Sequence, residues 1–218
     1  MSHYNIVICS PGYDFAAEYV ESLSETISEC SKKNLSVKWL NGQSARVHHA
    51  RELSISGDKF DIHRSSQKPF NGEFSYDVIV WIDSDISWDK EDFFKLINSE
   101  YDVTTGAYLL TDMTATVYNQ KYLSGIPNSY ILNMKVPEKI QSCGFGFIAM
   151  KKGVFERIPR PWFNLEIAPI GQENGLDIYD MLGEDISWCY KAYKAGIDIW
   201  FDPNILVTHQ KRVPLRFK

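Results

Sequence analysis

Apolar residues cluster most densely in Tyr76-Asp77-Val78-Ile79-Val80-Trp81-Ile82, a run that stops abruptly at Asp83-Ser84-Asp85. So short a run, rich in β-branched residues, predicts a strand buried on both faces. Asp89 then stands where it would cap a helix over Lys90–Ile97. The two acids therefore lie at the strand's carboxyl end, the end that opens into the ligand crevice of an open α/β sheet. Alternation along extended backbone would point Asp83 and Asp85 to one side and Ser84 away, so both carboxylates could reach one hard cation.

The same pattern sorts the rest of the chain. Residues 5–9 read as a first strand and Ser10-Pro11-Gly12-Tyr13-Asp14 as the turn after it. Ala16, Val20, Leu23 and Ile27 recur at helical spacing and predict a helix with that face inward. Residues 35–40 form the next strand, closed by Asn41-Gly42, so the opening βαβ unit implies a parallel, right-handed crossover. The first turn lacks the G-x-G-x-x-G of a dinucleotide site. Ser44 can cap a helix through residues 45–53, in which Arg46, His48, His49 and Arg51 crowd together. That crowd reads either as a solvated face or as a diphosphate or base contact from Arg51. A polar loop follows over 56–72.

Residues 102–109 predict another strand, and 111–137 an irregular crossing broken by Pro and Gly. The stretch 139–150 predicts a strand carrying Cys143-Gly144-Phe145-Gly146-Phe147, whose glycines mark a bulge or a close backbone approach to a ligand. Residues 152–157 suit a short helix. Beyond Pro159, Pro161 and Pro169, Gly171-Gln172-Glu173-Asn174-Gly175 reads as a flexible lid. Gly183-Glu184-Asp185 opens a helix with Ile186, Cys189, Tyr190 and Tyr193 on one face, and Gly196 stops it. Residues 197–201 form a strand, Pro203-Asn204 a turn, and Ile205-Leu206-Val207 leads to His209. The tail from Lys211 to Arg216 is basic.

Composition narrows the function classes. With 218 residues and 44% hydrophobic positions the chain predicts one globular domain. A net charge of -5 excludes wholesale binding to nucleic-acid backbone. No apolar stretch is long enough to span a bilayer, and Met1-Ser2-His3-Tyr4 runs straight into a strand, which predicts a cytoplasmic protein. Cys9, Cys30, Cys143 and Cys189 lack metal-ligand spacing and read as buried free thiols.

The acids carry the chemistry. An EF-hand starting at Asp83 would need Gly where Trp88 stands. A phosphatase of the haloacid dehalogenase type would put Asp-x-Asp after the first strand with Thr where Ser87 is. Glu184 and Asp185 suit a helix's first turn simply through its dipole, and a single His209 says little alone. Their order does more: two acids after a buried strand, a Gly-aromatic-Gly stretch, an acid pair heading a helix, and a histidine after the last strand.

That order resembles the nucleotide-sugar glycosyltransferases of the GT-A fold, most specifically in Trp81-Ile82-Asp83-Ser84-Asp85-Ile86 and Gly183-Glu184-Asp185-Ile186-Ser187-Trp188-Cys189. The resemblance implies an α/β, Rossmann-type three-layer domain with a mostly parallel central sheet flanked by helices. Residues 1–110 would be its nucleotide-binding half and 111–218 its acceptor-side half. It implies Mn2+ or Mg2+ held by Asp83, Asp85 and His209, with Asp185 and neighbouring Glu184 catalytic. Ser10, Pro11, Gly12, Arg51, Ser84, Gly144, Phe145 and Gly146 would lie beside a nucleotide-diphosphate sugar, a UDP-sugar being favoured. The family often has Arg-Asn where this chain has Arg51-Glu52.

The implied reaction moves a hexose to a glycan or other hydroxyl acceptor, with inversion if Asp185 takes the acceptor's proton from the face opposite the diphosphate. Residues 164–180 would then close over the donor, and Trp162, Tyr179 and Trp188 would offer sugar-stacking faces. A nucleotidyltransferase and a non-catalytic carbohydrate-binding protein are the competing readings. The first would carry a basic Gly-rich loop after strand one, which Ser10 to Asp14 lacks.

Overall fold

The chain was described from a computed structural model covering residues 1–56, 67–119 and 125–211. Its first strand, β1 (Ser2–Cys9), leads into α1 (Ala17–Lys32) and then β2 (Val37–Leu40). Helix α1 buries Tyr19, Thr26 and Cys30, whereas Val20 and Ile27, expected inside, are 54% and 41% exposed. The cause is hydrogen bonding. The Tyr19 hydroxyl pairs with Ser10 Oγ and accepts from Trp39 Nε1, Thr26 accepts from Trp88 Nε1 at 2.9 Å, and Ser22 binds the Trp88 backbone. With its polar atoms satisfied, that face can be buried at little cost.

Helix α2 (Val47–Ser56) starts later than expected, because Ser44 Oγ caps a local turn by accepting from the Arg46 N–H. The middle of the expected polar loop, residues 57–66, lies outside the described residues. A 3-10 turn, Pro69–Gly72, then feeds β3 (Phe74–Ile82), β4 (Ile86–Ser87) and α3 (Lys90–Ile97). Asp89 occupies the N-cap of α3, but its side chain makes no capping bond.

Strand β5 (Val103–Ala107) is followed by β6 (Val117–Tyr118), α4 (Asn128–Ile131), β7 (Glu138–Ile140), β8 (Ser142–Cys143) and β9 (Phe147–Lys151). The one strand expected over 139–150 is thus three pieces. Residues 120–124 of the irregular crossing lie outside the described residues. After α5 (Val154–Arg157) the expected lid is a β-hairpin, β10 (Ile167–Glu173) with β11 (Leu176–Met181). Its two-residue turn is Asn174-Gly175 at φ 51° and 78°, the left-handed pair that closes a type I′ turn.

Helix α6 (Glu184–Lys194) buries Ser187, Trp188, Cys189 and Ala192, and Tyr193, expected on that face, is exposed. Gly196 ends it at φ 67°, as its sequence position predicts. Strand β12 (Ile199–Leu206) continues through Pro203 with a register shift where a turn was expected, and β13 (Thr208–His209) follows. The tail beyond Lys211, including Arg212 and Arg216, lies outside the described residues.

The central sheet has the order β2-β1-β3-β9-β5-β12-β7. Strands β1, β2, β3, β5 and β12 run one way, while β9 and β7 are antiparallel to their neighbours. It is therefore mostly parallel, and Val78 to Ile82 are buried because β3 has a strand on each side and helices above and below. One core layer joins Trp81, Phe145, Phe155 and Trp188, from the side of α2, α5 and α6. The other joins Val80, Trp88, Phe93 and Phe147, under α1 and α3. All four cysteines are buried free thiols. Among the described residues no helix is long and apolar enough to cross a membrane.

The chain leaves β1 sideways to β2 and returns on the other side as β3, so the strand order reverses between β1 and β3. A crevice opens outside the carboxyl ends at such a point.

Candidate active site

The carboxyl ends of four co-directional strands converge there. β1 delivers Pro11, β3 delivers Asp83, Ser84 and Asp85, β5 delivers Tyr108 and Leu110, and β12 leads to His209 and Lys211. With Val47 from α2 they line a cleft of about 320 Å³. The two aspartates share this cleft, but not by strand alternation. β3 ends at Ile82, and a turn closed by the Ile86 N–H on the Asp83 carbonyl, at 3.0 Å, carries 83–85. Ser84 consequently lines the cleft too, rather than pointing away, and packs on Gly12. A Cβ at Gly12, whose φ is 148°, would lie 2.8 Å from Ser84 Oγ, so this approach requires glycine.

The antiparallel pair β4–β13 sets His209 opposite Ile86 and therefore beside Asp85. Its Nδ1 lies 2.9 Å from the Leu109 carbonyl and its Nε2 3.2 Å from Asp85 Oδ2. Since a carbonyl only accepts, Nδ1 carries the hydrogen. Nε2 of the neutral ring then turns a lone pair on a carboxylate oxygen, a contact that a proton or a cation between them would make attractive. The Lys211 ammonium, 2.7 Å from the same Oδ2, already puts positive charge there. Lys211, the first residue of the basic tail, is a cleft residue.

A buried arginine joins the two acid motifs. Arg51, 2% exposed, donates from Nη2 to Asp83 Oδ1 at 2.8 Å and from Nε to Glu184 Oε1 at 3.3 Å. Its guanidinium lies over Trp81 and Phe145 at 5.7 and 5.4 Å, and Nη1 is buried with no hydrogen-bond partner. Burial disfavours its charge, yet Asp83 and then Glu184 outweigh burial and hold its pKa above the ordinary value. The solvated-face reading thus fails for Arg51. Glu52 turns the other way, accepting from Arg160 Nε at 3.3 Å and the Phe163 N–H at 2.9 Å, and so fixes the chain entering the hairpin.

Asp185 stands one residue into α6, its Oδ1 accepting from the Ile186 N–H at 2.8 Å. Burial, and then the adjacent Glu184, lift its pKa to about 6, against the lowering by Arg51. Desolvation outweighs the helix terminus here.

Four expected contact residues look elsewhere. Ser10 is buried, its hydroxyl spent on Tyr19 and Trp39. Gly144, Phe145 and Gly146 are buried as well, Phe145 packing on Trp81, Phe163 and Trp188. The two glycines make room for Tyr108: a Cβ at Gly146 would meet its ring at 2.6 Å, and one at Gly144 its hydroxyl at 2.5 Å. The Gly146 N–H donates to that hydroxyl at 3.2 Å, and the Gly146 carbonyl accepts from the Asp83 N–H at 3.1 Å. Sequence reading missed Tyr108, though a glycine pair signals that something bulky comes close. Gly146→Ala is predicted to cost about 1–3 kcal/mol by displacing Tyr108, read as a lowered thermal midpoint. Trp162 and Trp188 are fully buried and offer no sugar a face, whereas Tyr179 is exposed.

Among the described residues no three His, Cys, Asp or Glu side chains are close enough to hold a metal as they stand. The donor set still suits a hard cation. Mg2+-like ions settle for one or two carboxylates and complete their shells with substrate phosphates and water, and Asp83, Asp85 and His209 share one cleft.

No family model matches the chain, and no curated protein matches it. Solved structures do. The crystal structure of A197 from STIV superposes at a TM-score of 0.54 with 16% identity, covering 98% of each chain. GalNAc-T7 with UDP, GalNAc and Mn2+ gives 0.50 and 14%, covering 96% of this chain, which spans 44% of that one. A Drosophila beta1,4galactosyltransferase 7 variant with manganese, UDP-Gal and xylobiose gives 0.50 and 11%, covering 96% and 71%. At such low identity the likeness speaks for the fold alone: the chain has the GT-A fold.

Proposed function

We propose that this chain transfers a sugar from a nucleoside diphosphate sugar, a UDP-sugar by preference, to an acceptor hydroxyl. The single observation that carries the reading is Arg51, buried between Asp83 and Glu184, because it draws a donor-side and an acceptor-side acid from 101 positions apart in sequence into one site. The scaffold is shared with galactosyltransferase 7 and GalNAc-T7, whose structures hold UDP-Gal with manganese and UDP with Mn2+.

Breaking the bond from the sugar's C1 to the diphosphate leaves negative charge on the departing oxygens. A divalent cation held by Asp83, Asp85 and His209 would supply Lewis-acid neutralisation of that charge. Arg51 fixes the Asp83 carboxylate, leaving its second oxygen to the cleft. The Leu109 carbonyl fixes the His209 ring so that Nε2 faces Asp85. Lys211 is free to turn from Asp85 towards phosphate oxygens as a point charge. Tyr108 and Pro11 wall the cleft and keep water from the donor.

Asp185 accepts the proton of the attacking hydroxyl at a carboxylate oxygen. A pKa near 6 serves this role: the group is ionised at neutral pH yet more basic than an ordinary aspartate. Attack guided by a base opposite the leaving diphosphate inverts the anomeric centre. By this reading, residues 1–110 form most of the donor site, His209 and Lys211 complete it, and the rest of 111–218 serves the acceptor side.

UDP release is the direct assay. Incubation with UDP-sugars and manganese is expected to liberate UDP, and an acceptor alcohol to raise the rate. No release from any UDP- or GDP-sugar, with metal present, would count against transfer.

A further inference from the structure

The hairpin β10–β11 is the least covered element of the fold. Among the described residues its two strands pair only with each other, so each presents a backbone edge that no described strand covers, and a lone two-stranded ribbon is marginal in water. Apolar side chains nevertheless crowd its surface: Ile167, Tyr179 and Met181 are 66%, 59% and 61% exposed. Register places Ile167 opposite Met181 and Pro169 opposite Tyr179, so these side chains form one outer face, while buried Ala168 anchors the other face to the body. Contiguous exposed apolar surface of this kind marks a partner site.

Its place in the molecule says which partner. The Leu182 N–H donates to the Glu166 carbonyl at 2.9 Å, closing the hairpin's base, and the Glu166 N–H donates to Ser187 Oγ at 2.9 Å. That base is thereby fastened to the first turn of α6, which carries Glu184 and Asp185. Charge narrows the choice further. Residues 162–185 contain six acids, Glu166, Glu173, Asp177, Asp180, Glu184 and Asp185, and no lysine, arginine or histidine. A second copy would bring like charge against like, and an anionic membrane surface would be repelled in the same way.

We propose that the hairpin is the docking strand for the acceptor, and that the acceptor is an extended polypeptide segment with Lys or Arg and apolar side chains flanking the hydroxyl to be modified. These edges supply main-chain hydrogen bonds to an added strand, and the outer apolar face takes alternate side chains. Asp177, on that outer face, takes basic ones, and exposed Asp180 on the opposite face adds to the negative field that draws them. An anionic acceptor would meet repulsion before it reached Asp185. The assignment of an acceptor, rather than a mere binding partner, rests on the transfer reading above.

The test uses the full chain and a fluorescein-labelled peptide alternating Leu and Lys around a central Ser, beside a counterpart with Glu at every Lys. Fluorescence anisotropy at low salt is expected to show the Lys peptide binding on the order of tenfold more tightly. The double variant Asp177→Lys, Asp180→Lys, exposed on the hairpin and checked for an unchanged thermal midpoint, is expected to reverse that preference. Equal binding of the two peptides, or a preference that survives the double variant, overturns the proposal. So does sedimentation showing a dimer of the wild-type chain that Ile167→Asp dissociates, since a second copy would then cover the face. Nucleotide release by the wild-type chain from a panel of UDP- and GDP-sugars with manganese, without peptide, is measured in parallel. Selective peptide binding without nucleotide release upholds the docking face and overturns the transfer reading; release without selective binding does the reverse.

Discussion

Replacing Arg51 by leucine is expected to destabilise the chain by about 3–5 kcal/mol, the cost of stranding buried charges by removing their shared partner. Asp83 Oδ1, on a side chain 27% exposed at the cleft, and Glu184 Oε1, on one 14% exposed, would each lose their cation, and water could replace it only in part. For a chain of this size the loss lowers the thermal midpoint on the order of 10 °C. Arg51→Lys is expected to recover only part of it, because one ammonium cannot span two carboxylates as the guanidinium fork does. A midpoint within 2 °C of wild type for Arg51→Leu would show that the two acid motifs do not depend on this link. The variant also has a chemical signature. Arg51 holds the Asp185 pKa down, so its loss is expected to move the acid limb of the transfer rate to higher pH.

Asp185→Asn is expected to abolish transfer and, at the same time, to stabilise the fold at neutral pH. In the folded chain the Asp185 pKa is pushed up to about 6 from the 3.8 of an ordinary aspartate. Between those values the folded state binds more protons than the unfolded one, so the contribution of Asp185 to stability is full below about pH 4 and is lost as pH rises through 6. Asparagine removes this pH dependence. The gain for Asp185→Asn is therefore expected to be about 2 kcal/mol at pH 7.5, allowing for partial exposure, and to vanish at pH 3.5. Thermal unfolding of both forms across that range checks it. A loss of stability at pH 7.5 would mean that Asp185 is a structural cap rather than a desolvated base. Wild-type transfer should fall about tenfold per pH unit below 6.

The sequence makes the strand ending in Asp83 readable, since only a double-covered strand needs so continuous an apolar run. The opening of α6 at Gly183-Glu184-Asp185 and its stop at Gly196 are readable from local signals, acids suited to a first turn and a glycine that takes the left-handed conformation. Arg51 was not, because its partners stand 32 and 133 positions away and a basic residue in a polar helix has no local mark of burial. The inner face of α1 misled because it buries Tyr19 and Thr26, whose hydroxyls find Ser10, Trp39 and Trp88 only in the fold. Gly144 and Gly146 announced a close approach, but the approaching group is Tyr108 rather than a ligand. Asn174-Gly175 is a strong hairpin signal that the expectation of a flexible lid passed over.

The central claim is that Asp83, Asp85 and His209 bind a divalent ion together with a nucleoside diphosphate. Titration calorimetry of UDP with manganese into the wild-type chain, Asp85→Ala and Asp185→Asn tests it most directly. The account predicts manganese-dependent UDP binding by the wild type and Asp185→Asn, and none by Asp85→Ala. UDP binding that survives Asp85→Ala, or that is indifferent to manganese in the wild type, would contradict it.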